Sequence, residues 1–124
     1  SKVTMDFEVI APGQNDALHQ NRCKPGGWEP IKNIHDPYVQ EMGRFSVMEH
    51  THKLVGASMK FIRVVSGETR PMSEGKEYRL VVEVAEHIIT CPPMLSVSVK
   101  FYLATVLEKP LDRSWQLEAF VSCN

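Results

Sequence analysis

Apolar positions in this chain recur mostly at every second residue. Val3, Met5, Phe7 and Val9 alternate with Thr4, Asp6 and Glu8, the period of a half-buried strand. Tyr78, Leu80, Val82 and Val84 share one face of a stretch from Glu77 to Ala85, and strand signals also cover Met59 to Val65 and Val97 to Leu107. After a turn at Pro110 to Arg113, Trp115, Leu117, Ala119 and Val121 alternate with Gln116, Glu118 and Ser122. One segment obeys a different period. Asp36 supplies a helix N-cap and Pro37 the first helical position, where a missing N–H costs nothing. Tyr38, Val39, Met42 and Phe45 then fall on one arc, and Gln40, Glu41 and Arg44 on the other. Gly43 and Ser46 permit close approach to a sheet, and the helix is expected to fray near Lys53 to Gly56. One helix followed by four strands with hairpin-length links predicts an α+β fold, an antiparallel sheet with the helix across one face.

Composition narrows the function classes. A chain of 124 residues is one domain with a real core. With 14 Lys and Arg against 15 Asp and Glu, the net charge of -1 gives no pull toward nucleic acid or an anionic membrane. The longest uninterrupted apolar stretch, Phe101 to Ala104, is far short of the roughly 20 residues that cross a bilayer, so a soluble protein is expected. The chain starts Ser1-Lys2 with no basic start and apolar core behind it, so no leader is expected in this numbering, although one could have been removed. Residues 11–25 read as a loop or arm rich in Pro, Gly, Asn, Asp, Gln and Lys.

Candidate chemistry is sparse. His50 and His52, two apart on a helix, point about 200° away from each other and cannot clasp one ion. Cys23 beside Lys24 has no fixed base in an arm, and Glu83 and Glu86 near His87 read as the wet side of a strand. No catalytic residue, metal or cofactor is expected, and the chain is read as no enzyme. Three cysteines, Cys23, Cys91 and Cys123, are too few and too widely spaced for a thiolate zinc site; all-reduced thiols and one bridge with one leftover both stay open. The informative features are loops. Gly26-Gly27 precede Trp28 and let backbone approach another surface without a Cβ in the way. Gly67 to Gly75 reads as a hairpin tip with an exposed Met72, and Pro110-Leu111 as a second tip whose leucine either packs inward or meets a partner.

Taken in order, these residues resemble the plant cystatins, protein inhibitors of papain-like cysteine proteases. The helix segment Met42-Gly43-Arg44-Phe45-Ser46-Val47 is similar to the family's Leu-Ala-Arg-Phe-Ala-Val signature. Gly26-Gly27-Trp28-Glu29-Pro30-Ile31, Asp36-Pro37, Val64-Val65, Gly75 three before Tyr78, Tyr102 to Pro110 and Leu117 to Phe120 continue the match over roughly residues 26–121. The resemblance implies a cystatin-like domain over 26–124 after an arm at 1–25: five antiparallel strands wrapped around one long helix, the fifth near Trp28 to Ile31. It further implies a wedge that occludes a protease cleft, formed by Gly26, Gly27, the first hairpin Pro71-Met72-Ser73-Glu74-Gly75, and Pro110-Leu111 of the second. The implied partner is a papain-like cysteine protease, in a secreted or vacuolar setting.

Two of those three contacts depart from the family. Its first hairpin reads Gln-x-Val-x-Gly, of which only Gly75 survives, and its second carries Pro-Trp where Leu111 stands. A hydroxyl and a carboxylate facing an apolar cleft, and a lost aromatic anchor, imply weakened or narrowed inhibition; a non-inhibitory binding module on the same scaffold is the alternative. Trp115 is expected to pack in the core rather than replace the anchor. The implied fold brings Cys91, in a long insert from His87 to Leu95, within reach of Cys123, and so implies a bridge between them, closing a loop of about 30 residues. The Val3 to Val9 strand of the arm would add to an exposed sheet edge, in the same molecule or in a homodimer.

Overall fold

The computed structural model describes residues 28–52, 57–90 and 94–123. In chain order these form β1 (Glu29–Pro30), α1 (Pro37–Thr51), β2 (Ala57–Met72), β3 (Gly75–Thr90), β4 (Met94–Lys109) and β5 (Ser114–Ser122). The five strands make one antiparallel sheet in the order β1-β2-β3-β4-β5. Every pair of neighbours in the sheet is consecutive in sequence, and the β1 to β2 connection carries the helix.

The helix begins where its cap dictates. The Asp36 carboxylate accepts the Tyr38 N–H at 3.0 Å, with Pro37 opening the first turn. Val39, Met42, Gly43, Ser46 and Val47 are buried against the sheet, joining Val64, Tyr78, Leu80, Val82, Val84 and Val106 in one core. The small residue at 43 is required there, since a Cβ on Gly43 would sit 2.3 Å from Val64 Cγ2. Gln40, expected on the outer arc, instead turns to β2. Its amide donates to the carbonyls of Ile34 (2.7 Å) and Val64 (3.2 Å) and its oxygen accepts the Val64 N–H at 3.0 Å. These are edge groups of β2 that two-residue β1 is too short to pair.

Three bulges correct the simple alternation. Register shifts between Phe61 and Arg63, between Val64 and Ser66, and opposite the Thr105/Val106 step each insert one residue. A bulge moves every later side chain to the opposite face. In β5 the extra residue is Glu118, so Phe120 rather than Ala119 packs against the core, while Ala119 is exposed. The insert from His87 to Leu95 falls at the far end of the β3–β4 hairpin. Its described residues, 87–90 and 94–95, belong to β3 and β4, with Ile88 paired to Ala57 of β2 and Thr90 to Met94, and residues 91–93 lie outside the described residues. The tip expected over Gly67 to Gly75 shrinks, since Gly67 to Met72 belong to β2 and only Ser73 and Glu74 form the turn. The expected fray at Lys53 to Gly56 and the strand at Val3 to Val9 lie outside the described residues.

Candidate functional site

The register carries both hairpin tips to one end of the sheet. Met72 pairs with Gly75, Lys76 with Glu108, and Lys109 with Ser114, so the turns Ser73-Glu74 and Pro110 to Arg113 project from adjacent hairpins. A Cβ on Gly75 would lie 1.9 Å from the Glu108 carbonyl oxygen and 2.9 Å from Pro110 Cδ. The glycine is the point where one hairpin seats on the other, and no larger residue fits there without moving backbone. Ser73 and Glu74 both keep negative φ, so the two-residue loop is neither of the primed turns usual in hairpins.

Pro71, Met72, Ser73 and Glu74 are all exposed, Met72 at 37%. The second tip is a tight loop in which the Asp112 N–H donates to Lys109 O at 3.2 Å and the Arg113 N–H to Pro110 O at 3.1 Å. Arg113 adopts φ 52°, the left-handed region. Leu111 crowns this loop and is 99% exposed, which excludes inward packing. At the third position the described chain starts at Trp28, whose ring lies under both Arg70 (4.5 Å) and Arg79 (5.3 Å). Pairing of Glu29 with Thr69 sets this point three residues from the Met72 tip. Gly26 and Gly27 lie outside the described residues.

The bases of the two hairpins differ in chemistry. Under the second, the Trp115 indole donates to the Tyr38 hydroxyl at 3.0 Å, Tyr38 donates to a Glu108 carboxylate oxygen, and Trp115 meets Tyr38 and Phe45 edge to face at 5.4 and 5.5 Å. Trp115 therefore braces the helix start against β5, as expected. Partial burial and the bond to Glu108 both raise the Tyr38 pKa. Under the first, Arg70 pairs with Glu77 across the strands at 2.8 Å. Glu118, the bulge residue of β5, hydrogen-bonds Glu77 across β4; that bond, then desolvation and the charges of Glu77 and Glu74, push its carboxyl up to about 7 against the opposing effect of Arg70. Sequence alone could not join Glu77 to Glu118, because the contact depends on the register of three strands and on a bulge.

The other candidates find structural roles. His50 stacks on Phe120 at 4.2 Å, near Tyr102. Glu83 pairs with Arg63 and Glu86 with Lys100. Cys123 is buried at the end of β5, its N–H donating to Phe101 O at 2.8 Å. Cys23 and Cys91 lie outside the described residues, and with Cys91 so does the implied bridge.

Comparisons with known proteins agree with this architecture. A human cystatin F, in a crystal structure of its dimer, superimposes with a TM-score of 0.59 at 18% identity, covering 80% of this chain and 87% of that one. A salivary cystatin from the soft tick Ornithodoros moubata gives 0.62 at 15% identity over 79% of this chain and 97% of its own. In sequence, cysteine proteinase inhibitor 5 of Arabidopsis thaliana is 41% identical over 82% of this chain and 75% of its own length. Cysteine proteinase inhibitor 8 of Oryza sativa subsp. japonica is 37% identical over 77% and 69%. Cysteine proteinase inhibitor 6 of the same rice is 44% identical over 49% of this chain, a match spanning about half (53%) of that protein. The family model described as SQAPI, aspartic acid proteinase inhibitor, matches residues 31–123. The chain belongs to the plant cystatin family.

Proposed function

We propose that this chain is a reversible inhibitor of papain-like cysteine proteases that acts by filling the enzyme's cleft, with Ser73-Glu74 and Pro110-Leu111 as its leading edge and Gly26-Gly27 beside them. The observation that carries this reading is the seating of Gly75 on Glu108 and Pro110. It holds two loops as one rigid prow, so little conformational entropy is lost when the prow docks. Such an inhibitor offers no scissile bond to the thiol; its affinity comes from backbone fit and a few apolar anchors. Here Leu111, held fully in water on a tight loop, is the apolar anchor, and Glu74 the obstacle, because a carboxylate entering an apolar groove loses its hydration without a partner. Inhibition of papain itself is therefore weak.

A second reading has its own support. The family model's description names aspartic proteinases, and the first hairpin, Pro-Met-Ser-Glu-Gly, keeps only the glycine of the thiol-protease inhibitors' Gln-x-Val-x-Gly. Titration of papain-like and pepsin-like enzymes with the parent and with a variant carrying Gln-Val-Val-Ala at positions 71–74 separates the readings. Weak inhibition of papain by the parent, strengthened about tenfold or more in the variant, supports the thiol-protease wedge. Inhibition of the pepsin-like enzyme by the parent, lost in the variant, moves the target to the aspartic class. No inhibition of either enzyme by either protein leaves a binding module on the cystatin scaffold.

A further inference from the structure

At the end of the sheet opposite the prow, β4 runs past its neighbour. β5 pairs as far as Ser122 with Tyr102, and the Cys123 N–H closes on Phe101 O. From Met94 to Lys100 the strand is paired to β3 alone, and among the described residues nothing lies on its other edge. This open edge is apolar on one face: Leu95, Val97 and Val99 are 62%, 55% and 53% exposed, at alternate positions, and no charge interrupts the run before Lys100. An edge of this kind, with no charge or proline from Met94 to Val99, recruits another strand.

We propose that the occupant is the chain's own N-terminal segment, Val3 to Val9, added as a sixth strand beside Met94 to Lys100. Each run is seven residues long, and with the register slipped by one residue, Val3 beside Leu95 and Glu8 beside Lys100, six residues pair with matching pattern. Val3, Met5, Phe7 and Val9 would cover the Leu95, Val97 and Val99 face, while Thr4, Asp6 and Glu8 face Ser96, Ser98 and Lys100 on the other, a polar set. The tether reaches. Glu29 stands level with Thr69, Tyr78 and Val106 through successive pairings, so Met94 lies about 40 Å along the sheet and about 20 Å across it. Residues 10–27 span up to about 60 Å when extended. A second molecule is the weaker occupant, because seven residues of one edge bury well under the roughly 1,200 Å² that holds separate proteins together. A tethered strand meets the same edge at an effective concentration in the millimolar range. This assignment is independent of which protease the prow meets.

Hydrogen exchange on the intact chain tests it, comparing the parent with a Met5→Pro/Asp6→Pro variant, which removes a donor facing β4 whichever way the strand is turned and leaves the folded domain untouched. Sedimentation velocity is run alongside. The expected result is a monomer in which the Met94 to Lys100 amides exchange about tenfold or more slowly in the parent than in the variant, with β2 exchange unchanged between them. Equal exchange in both proteins would overturn the proposal. So would protection that rises with protein concentration alongside a dimer mass, since it would assign the edge to a second copy.

Discussion

The two hairpins that end side by side are built on different foundations. The second rests on aromatic packing, with Trp115 wedged between Tyr38 and Phe45 and tied through the Tyr38 hydroxyl to Glu108. The first rests on charge, with Arg70 against Glu77 and with Glu118 leaning on Glu77 from beyond β4. Their tips seat on each other at Gly75. From this contrast, the second hairpin is expected to hold its shape across conditions while presenting one apolar residue. The first is expected to depend on its neighbour for position and on pH for the state of its base. Each half of that statement can be attacked separately.

The largest effect is expected at the joint. Gly75→Ala places a methyl 1.9 Å from a backbone oxygen that cannot swing aside, and the hairpins must part to admit it. Urea unfolding should show a loss of about 3 kcal/mol, with inhibition weakened beyond what the unfolded fraction explains. If stability falls but inhibition per folded molecule is retained, the tips do not work as one prow.

A smaller effect is expected at the apex of the second hairpin. Leu111→Asp changes a side chain that touches almost nothing in this molecule, so stability should stay within about 0.5 kcal/mol. Inhibition should weaken about tenfold, the loss expected when one apolar anchor is removed from an interface. An unchanged inhibition constant would show that this loop faces away from the enzyme.

What the sequence could and could not tell follows the same physical line. The helix was legible because Asp36-Pro37 is a local device and its periodicity needs no partner. The long strands were legible wherever one face is core and the other wet, as at Tyr78 to Val84. What stayed hidden depends on pairing. β1, two residues long, carries no period at all and emerged only through family resemblance. The bulges at Ile62, Val65 and Glu118 reverse faces without any glycine or proline to announce them. Gln40 reads as a surface residue until the unpaired Val64 edge beside it is known. At the candidate site both tips could be found from turn residues, and Trp115 was assigned to the core by its alternation with Leu117. The contact of Gly75 with Glu108 joins residues 33 positions apart and has no sequence signal.

The smallest effect probes the base of the first hairpin. Glu118 titrates near 4.5 in an unfolded chain, and its bond to Glu77, its desolvation and the nearby charges of Glu77 and Glu74 push it up to about 7 when folded, with Arg70 opposing. Between those values the folded protein holds a proton that the unfolded chain has lost. Folding stability from this group is therefore complete below about pH 4.5 and drains away as pH rises through 7. Glu118→Gln keeps a donor toward Glu77 at every pH and should remove that part of the slope. The melting temperature of the parent should drop from pH 5 to pH 8 by about 2 °C more than that of the variant, a modest figure because the carboxyl remains open to solvent. Tyr38→Phe, at the other base, should leave the slope untouched, since the Tyr38 hydroxyl titrates above its usual range and carries no charge change in this window. Should Tyr38→Phe flatten the profile and Glu118→Gln leave it alone, the pH-sensitive base belongs to the second hairpin, and the contrast between the two foundations is inverted.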